Sequence, residues 1–334
     1  MLTTIKKTLL PLNSEDYMVD ICVTTYNHER YIADALNGLI KQKTNFKFRI
    51  LVGEDCSTDN TSSILQQFAL EYPNIIFPYF RKKNLGSHEN SRTLIMECTS
   101  KYMALLDGDD YWTDNMKLQK QVDFLETNSD FSFCYHHVKI VQENGFVNEK
   151  LEMKKEQPEI STIENILKLN IWPHINSILF RRENMPKYPD WLKDCPSADW
   201  GIWLLITGNK KIKYMHETMS VYRQHSEGFW SSNTKSQNAL RTLKSAKTLK
   251  KNIVKGKLRQ HLYLPIHYSY IELLSYYRYT NKLKFIYYFI QSKLLDIQYS
   301  SKVKIDMLAG LSKRELIKKT VKSIKRKLRI SISV

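Results

Sequence analysis

YMALLDGDDYW, residues 102–112, is an apolar run from Tyr102 to Leu106 that stops abruptly at Asp107, Gly108, Asp109 and Asp110. A run this short, apolar at every position, reads as a strand buried on both faces. Its carboxylates then fall at the carboxyl edge of a sheet, where open α/β folds bind their ligands. The same residue types suit a solvated turn, so the surroundings decide.

Outward from this run, residues 19 to about 135 alternate between two kinds of element. MVDICVTT (18–25) is rich in β-branched residues, and Glu29 to Lys43 carries Ile32, Leu36, Leu39 and Ile40 at helical spacing. FRILVGED (48–55) reads as the next strand. Ser57, Thr58, Asp59 and Asn60 offer caps to a helix with Ile64, Leu65, Phe68 and Ala69 on one face. NIIFPYF (74–80), a helix over Ser87 to Cys98, and KYMALL (101–106) continue the alternation. Strands separated by helices require right-handed crossovers, so the expectation is an α/β fold with a mostly parallel sheet flanked by helices. Further on, the pattern predicts a helix after Asp114 running to about Glu126 and strands at FSFCYHHVKIV (131–141) and INSILF (175–180). A charged loop is expected from Gln142 to Glu159, and a short apolar helix up to Thr207 with Asp199 at its start.

The 334 residues carry a formal net charge of +17, unevenly spread. Ser231 to Val334 holds 24 Lys and Arg against 4 Asp and Glu, which leaves −3 for residues 1–230. The expected organisation is a near-neutral body, 1–230, followed by a strongly basic helical region, 231–334. Within that region Ile317, Val321, Ile324 and Leu328 form one stripe, and Lys318, Lys319, Lys322, Lys325, Arg326 and Arg329 occupy the rest of the surface. That is the pattern of a basic helix lying on an anionic membrane; the alternative is a helix that packs its stripe on the protein or on a second subunit. Nucleic acid is disfavoured, because no nucleic-acid motif accompanies the charge. No apolar run approaches the roughly 18 residues of a membrane-spanning helix. The N-terminus lacks the apolar core of a secretory signal, and five scattered cysteines form neither a zinc motif nor a disulfide framework. A reducing cytoplasm fits.

Three expected strands, the first, second and fourth, end in polar groups: Thr24 to Asn27, Glu54 to Ser57, and the aspartate cluster. In an α/β sheet these ends converge on one crevice. Hard cations such as Mg²⁺ or Mn²⁺ are held there by one or two carboxylates, with substrate phosphates completing the shell. The pattern therefore suggests a nucleotide diphosphate site.

With those motifs in view, residues 18 to about 230 resemble a family 2 glycosyltransferase of the GT-A (Rossmann-like) fold. The resemblance rests on VTTYNHERYIADALNGLI, LVGEDCSTDNT, RKKNLGSHEN, YMALLDGDDYW and PSADWGIWLL, in that order. It implies inverting transfer of a sugar from a nucleotide-sugar donor, in the manner of enzymes that build bacterial cell-surface polysaccharides. Thr24, Tyr26, Asn27 and Glu29 match the nucleotide side, with Tyr26 offering a ring face. Asp55 matches the position that accepts from the uracil N–H, which favours UDP; its alternative is to cap the following helix. Asp107 would contact ribose or metal, and Asp109 would coordinate Mn²⁺ or Mg²⁺, with Asp110 supporting the loop or capping the next helix. Arg81 would border the nucleotide pocket. Asp199 would be the general base, Ala198 replacing the first acid of the family's acidic pair; its alternative is a helix cap. In VYRQHSEGFW, Arg223 would neutralise phosphate charge and His225 would be a metal ligand or phosphate contact. The implied acceptor is a saccharide, lipid-linked at the inner face of the membrane. A nucleotidyltransferase and a non-catalytic polyanion-binding scaffold are the competing readings.

Overall fold

The alternation seen in the sequence becomes, in a computed structural model that describes residues 17–142, 157–185, 187–226, 228 and 233–299, a nine-stranded sheet with helices around it. In chain order the elements are β1 (Val19–Thr25), α1 (Ile32–Ile40), β2 (Phe48–Glu54), α2 (Thr61–Glu71), β3 (Ile76–Phe80), α3 (Ser87–Glu97), β4 (Tyr102–Asp107), β5 (Tyr111–Trp112) and α4 (Lys117–Thr127). They continue with β6 (Phe131–Gln142), β7 (Ile160–Ser161), α5 (Ile163–Leu167), β8 (Leu179–Arg181), α6 (Ala198–Thr207) and β9 (Lys211–Gln224). Three long helices end the described chain: α7 (Lys235–Asn252), α8 (Tyr263–Thr280) and α9 (Lys282–Tyr299).

The strand order is β3-β2-β1-β4-β8-β6-β9-β5, with β7 pairing β9. The half built from β3, β2, β1 and β4 is parallel, as helical crossovers dictate. Beyond β4 the sheet is mixed. β8 runs antiparallel to β4 and β6, β9 runs parallel to β6, and β5 and β7 run antiparallel to β9. The expected strand INSILF is accordingly shorter: Ile175–Ser177 is a 3-10 turn and only Leu179–Arg181 pairs. The Ser177 N–H and hydroxyl both bond to His174 O, which holds that turn closed. Strand β9 and the two-residue β5 lie outside the strands expected from the sequence.

Val19, Ile21, Val23, Ile50, Val52, Ala104 and Leu106 fill the parallel half of the core, and α1 closes it with Ile32, Ala35, Leu36 and Leu39. At the amino edge Asp20 and Arg49 sit opposite each other in register. Both guanidinium contacts reach the Asp20 carboxylate, at 2.6 and 3.1 Å, and Thr99 N, Ser100 N and Ser100 Oγ also donate to it. Burial alone would raise the Asp20 carboxyl; the hydrogen bonds from Arg49 and Ser100 hold it below its ordinary value.

The described chain forms two compact units. The sheet unit comprises residues up to Ile163 with Trp172–Lys193 and Ile202–Ser226; the second unit comprises Glu164–Ile171, Asp194–Gly201 and the residues after Ser226. In the second unit α7 opens with a capping box at Thr234 and Gln237, and α8 buries Ile266, Tyr270, Leu273 and Tyr277. Among the described residues no helix is long and apolar enough to cross a membrane. The stripe Ile317, Val321, Ile324, Leu328 and most of the loop expected after Gln142 lie outside the described residues.

Candidate functional site

The carboxyl ends of β1, β2 and β4 lie side by side, Thr24 opposite Asp107 and Thr25 opposite Glu54. Thr24 Oγ1 donates to Asp107 Oδ1 at 2.8 Å, and Gly108 N donates to Thr24 O at 2.8 Å. A Cβ at Gly108 would stand 2.8 Å from Thr25 Oγ1 and 3.0 Å from His28 Nδ1. Only glycine lets the aspartate turn approach the β1 loop this closely.

From this turn Asp109 reaches the end of β9. His225 Nε2 and Asp109 Oδ2 are 3.0 Å apart, and His28 Nε2 lies 3.9 Å from the same oxygen. His225 is 6 % exposed, and its ring rests beside Tyr31, centroids 5.0 Å apart. Burial would raise the Asp109 carboxyl, but the His225 hydrogen bond and the neighbouring His28 hold it below its usual range. Among the described residues no three His, Cys, Asp or Glu side chains are arranged to hold a cation unaided. One carboxylate with one imidazole fits a divalent cation that takes its remaining ligands from a diphosphate.

Asp110 points inward and supports the loop. Its Oδ1 accepts from Arg223 N at 2.9 Å and its Oδ2 from Asn176 Nδ2 at 2.9 Å, so one carboxylate fastens β9 and the 3-10 turn to the aspartate turn. Burial, with Asp109 and Asp107 adding to it, raises this carboxyl well above the ordinary range. Ahead of the next helix it is Asp114 whose Oδ1 accepts from Met116 N. Arg223 donates to Asp109 O at 2.8 Å and to Asp34, with its guanidinium 4.3 Å from the Tyr111 ring centroid. These are protein partners, where the sequence suggested phosphate.

Around the nucleotide side, Tyr26 is 40 % exposed and keeps its ring free of the core. Asn27, at φ 54°, accepts from Thr58 N at 2.9 Å, and Glu29 accepts from Asn60 N at 3.0 Å. Both side chains tie the loop after β1 to the loop after β2. Asp55 is buried and accepts from Leu85 N at 2.7 Å and Gly86 N at 2.9 Å, ahead of α3. It does not cap α2; Asp59, ahead of that helix, accepts from Thr61 N at 3.0 Å, while Asp55 stands just past the end of β2 and faces the neighbouring turn. Arg81 turns away into α3, donating to Asn90 Oδ1 at 3.1 Å and Thr93 Oγ1 at 2.7 Å.

Asp199 belongs to the second unit. α6 begins at Ala198, so Asp199 stands in its first turn rather than at the cap. Its Oδ1 accepts from Trp200 N at 2.8 Å, and burial pushes its carboxyl up to about 6. The structure thus gathers Thr24, Asp107, Asp109, Asp110, Arg223 and His225 at one edge of the sheet. His28, Asp34 and Asn176 join them without having been singled out from the sequence. His28 carried a signal, its place directly after the polar end of β1; Asn176 carried none, since INSILF reads as a plain strand.

Comparisons with known proteins agree with this architecture. An uncharacterized protein of Mycobacterium tuberculosis is 33% identical over 214 residues, 64% of this chain and 61% of that protein, so the chain spans less than two thirds of that relative's length. The putative teichuronic acid biosynthesis glycosyltransferase TuaG of Bacillus subtilis is 26% identical over 212 residues, 62% of this chain and 79% of TuaG. The crystal structure of S. aureus TarS 1-349 in complex with UDP-GlcNAc shares the fold at a TM-score of 0.61 and 16% identity, covering 94% of this chain and 92% of TarS. The model of glycosyl transferase family 2 matches residues 20–195, more than half of the chain and every strand of the parallel half of the sheet, and the chain therefore belongs to glycosyl transferase family 2.

Proposed function

We propose that this glycosyltransferase moves a sugar from a UDP-sugar to a hydroxyl of a lipid-linked saccharide, with inversion, in the synthesis of a cell-surface polysaccharide. The observation that carries the reading is the pairing of Asp109 with His225 beside the Thr24–Asp107 contact, at the edge where three strand ends meet. In this reading Tyr26 stacks on the base, Asp55 borders it, and Thr24, Asn27, Glu29 and Asp107 shape the nucleoside pocket. Asp109 and His225 hold Mn²⁺ or Mg²⁺, while Asp110 and Arg223 keep them in place. A bound cation supplies positive charge against the diphosphate as it leaves. Asp199 takes the proton from the acceptor hydroxyl, whose oxygen bonds to the anomeric carbon as UDP departs from the opposite face. Residues 1–230 are the catalytic domain, and the basic region 231–334 holds it at the inner face of an anionic membrane, beside its acceptor.

Calorimetry with UDP, GDP and CDP, with and without Mn²⁺, tests the donor side. Manganese-dependent preference for UDP that is weakened by Asp109→Asn is the expected result. Equal binding of all three nucleotides, or binding indifferent to the metal, refutes the donor assignment.

A further inference from the structure

The most exposed large apolar side chains among the described residues lie where α8 turns into α9. Tyr279 is 83 % exposed and Leu283 79 %. Tyr268, Ile271 and Tyr279 line the outward side of α8, and Leu283, Tyr287 and Leu294 line that of α9. Positions 283, 287 and 294 share one helical face. These helices bury their other sides within the second unit, α9 through Leu295 and Tyr299, so the outward stripes are additional to the faces that build its core.

Charge accompanies the stripes. From Tyr268 to Leu295 the sequence has Arg278, Lys282, Lys284 and Lys293 against one acidic residue, Glu272, which lies away from the turn. Arg278, Lys282 and Lys284 surround the turn itself and are exposed. The one carboxylate further along α9, Asp296, is buried and engaged by Tyr263 and Lys293. Tyrosines with an apolar body and a polar tip, interleaved with long cationic side chains, match the headgroup layer of a bilayer. The helices themselves do not meet the criterion for crossing one.

We infer that the α8–α9 turn inserts Tyr279 and Leu283 into the interface of an anionic lipid surface, with Arg278, Lys282 and Lys284 on the headgroups. The inference deepens the membrane-facing part of the proposed function and rests on it. Two other occupants fit less well. A second copy would bring two surfaces of the same positive sign together, whereas an anionic surface is complementary. Single-stranded nucleic acid is bound in basic grooves by ring stacking, which leaves Ile271, Leu283 and Leu294 without a role.

The test uses the full chain with vesicles of phosphatidylcholine alone or with phosphatidylglycerol, read by co-sedimentation. Wild type binds the anionic vesicles. Tyr279→Ser with Leu283→Ser weakens that binding at least tenfold, and Lys282→Glu with Lys284→Glu lowers the preference for phosphatidylglycerol. Manganese-dependent UDP binding and the thermal midpoint stay unchanged in both variants, which separates loss of docking from loss of fold. A Tyr279→Trp chain gains quenching by brominated lipid. Wild-type vesicle binding by the Tyr279→Ser, Leu283→Ser chain overturns the inference, and if Ile317→Asp with Ile324→Asp then loses binding, the membrane reading survives through the tail alone. No binding of wild type to anionic vesicles overturns both, while sugar transfer is judged separately. Loss of a dimer, or of single-stranded RNA binding, in the serine variant with vesicle binding intact also overturns it.

Discussion

Asp199 and Asp110 are two carboxylates raised by burial that face different partners, and their substitutions are expected to fail differently. Asp199→Asn removes the proposed proton acceptor and keeps the shape, so transfer is expected to fall to background while UDP and metal binding persist; normal turnover in that variant would exclude Asp199 as base. Because burial sets the Asp199 carboxyl at about 6, kcat/KM is expected to rise with pH through about 6 and level off above it. A rise centred near the ordinary aspartate value would point to another base. Asp110→Asn turns one acceptor into a donor that opposes either Arg223 N or Asn176 Nδ2. That clash costs about 1–3 kcal/mol and shows as a lower urea midpoint together with weaker UDP binding. Gly108→Ala forces the turn off Thr25 and is expected to weaken UDP binding with β1 to β4 otherwise intact, as measured by calorimetry and circular dichroism. Of these residues the aspartates were legible, because carboxylates after an apolar run have few uses. Asn176 was not, because its role depends on a 3-10 turn and on two partners 45 and 66 residues away.

Among the elements, β1, β2 and β4 were readable because each is buried along nearly its whole length, and the helices between them because each has one apolar side. β9 was not. Its fourteen residues carry Lys211, Lys213, His216 and Glu217, and half-exposed positions interrupt the apolar ones. It is held in the sheet by ladders to β6, β5 and β7 rather than by a continuous apolar run. The Asp20–Arg49 pair joins β1 to β2 with every charge satisfied, and removing one partner leaves the other buried. Arg49→Ala is expected to cost about 3–5 kcal/mol in denaturant unfolding. Asp20 lies below its unfolded value, so its contribution is present above that value and is lost as pH falls through the folded one. Acid unfolding of Arg49→Ala therefore begins at a higher pH than that of wild type. A variant that unfolds at the wild-type pH would show that Asp20 is not what the acid titrates.

For the whole molecule the charge asymmetry was plain in the sequence, since basic residues crowd the last third regardless of fold. The mixed half of the sheet was not, because pairing direction depends on how the chain returns between strands and not on residue type. A chain of net charge +17 that docks on lipid by charge as well as by Tyr279 and Leu283 loses the first contribution to salt. Raising salt from about 0.1 to about 1 M shortens the screening length from about 10 to about 3 Å, and vesicle binding is expected to fall steeply in co-sedimentation. Binding unchanged by salt would leave apolar insertion as the sole force. The Asp109–His225 contact, finally, spans 116 residues of chain and depends on β9 having already paired along β6. On a growing polypeptide the first carboxylate is therefore synthesised long before its imidazole partner exists, and contacts of such long range form slowly. In the proposed reading, a grip on the diphosphate then arrives only when the last strand is laid into the sheet, and nucleotide binding would double as a report that the sheet has been completed.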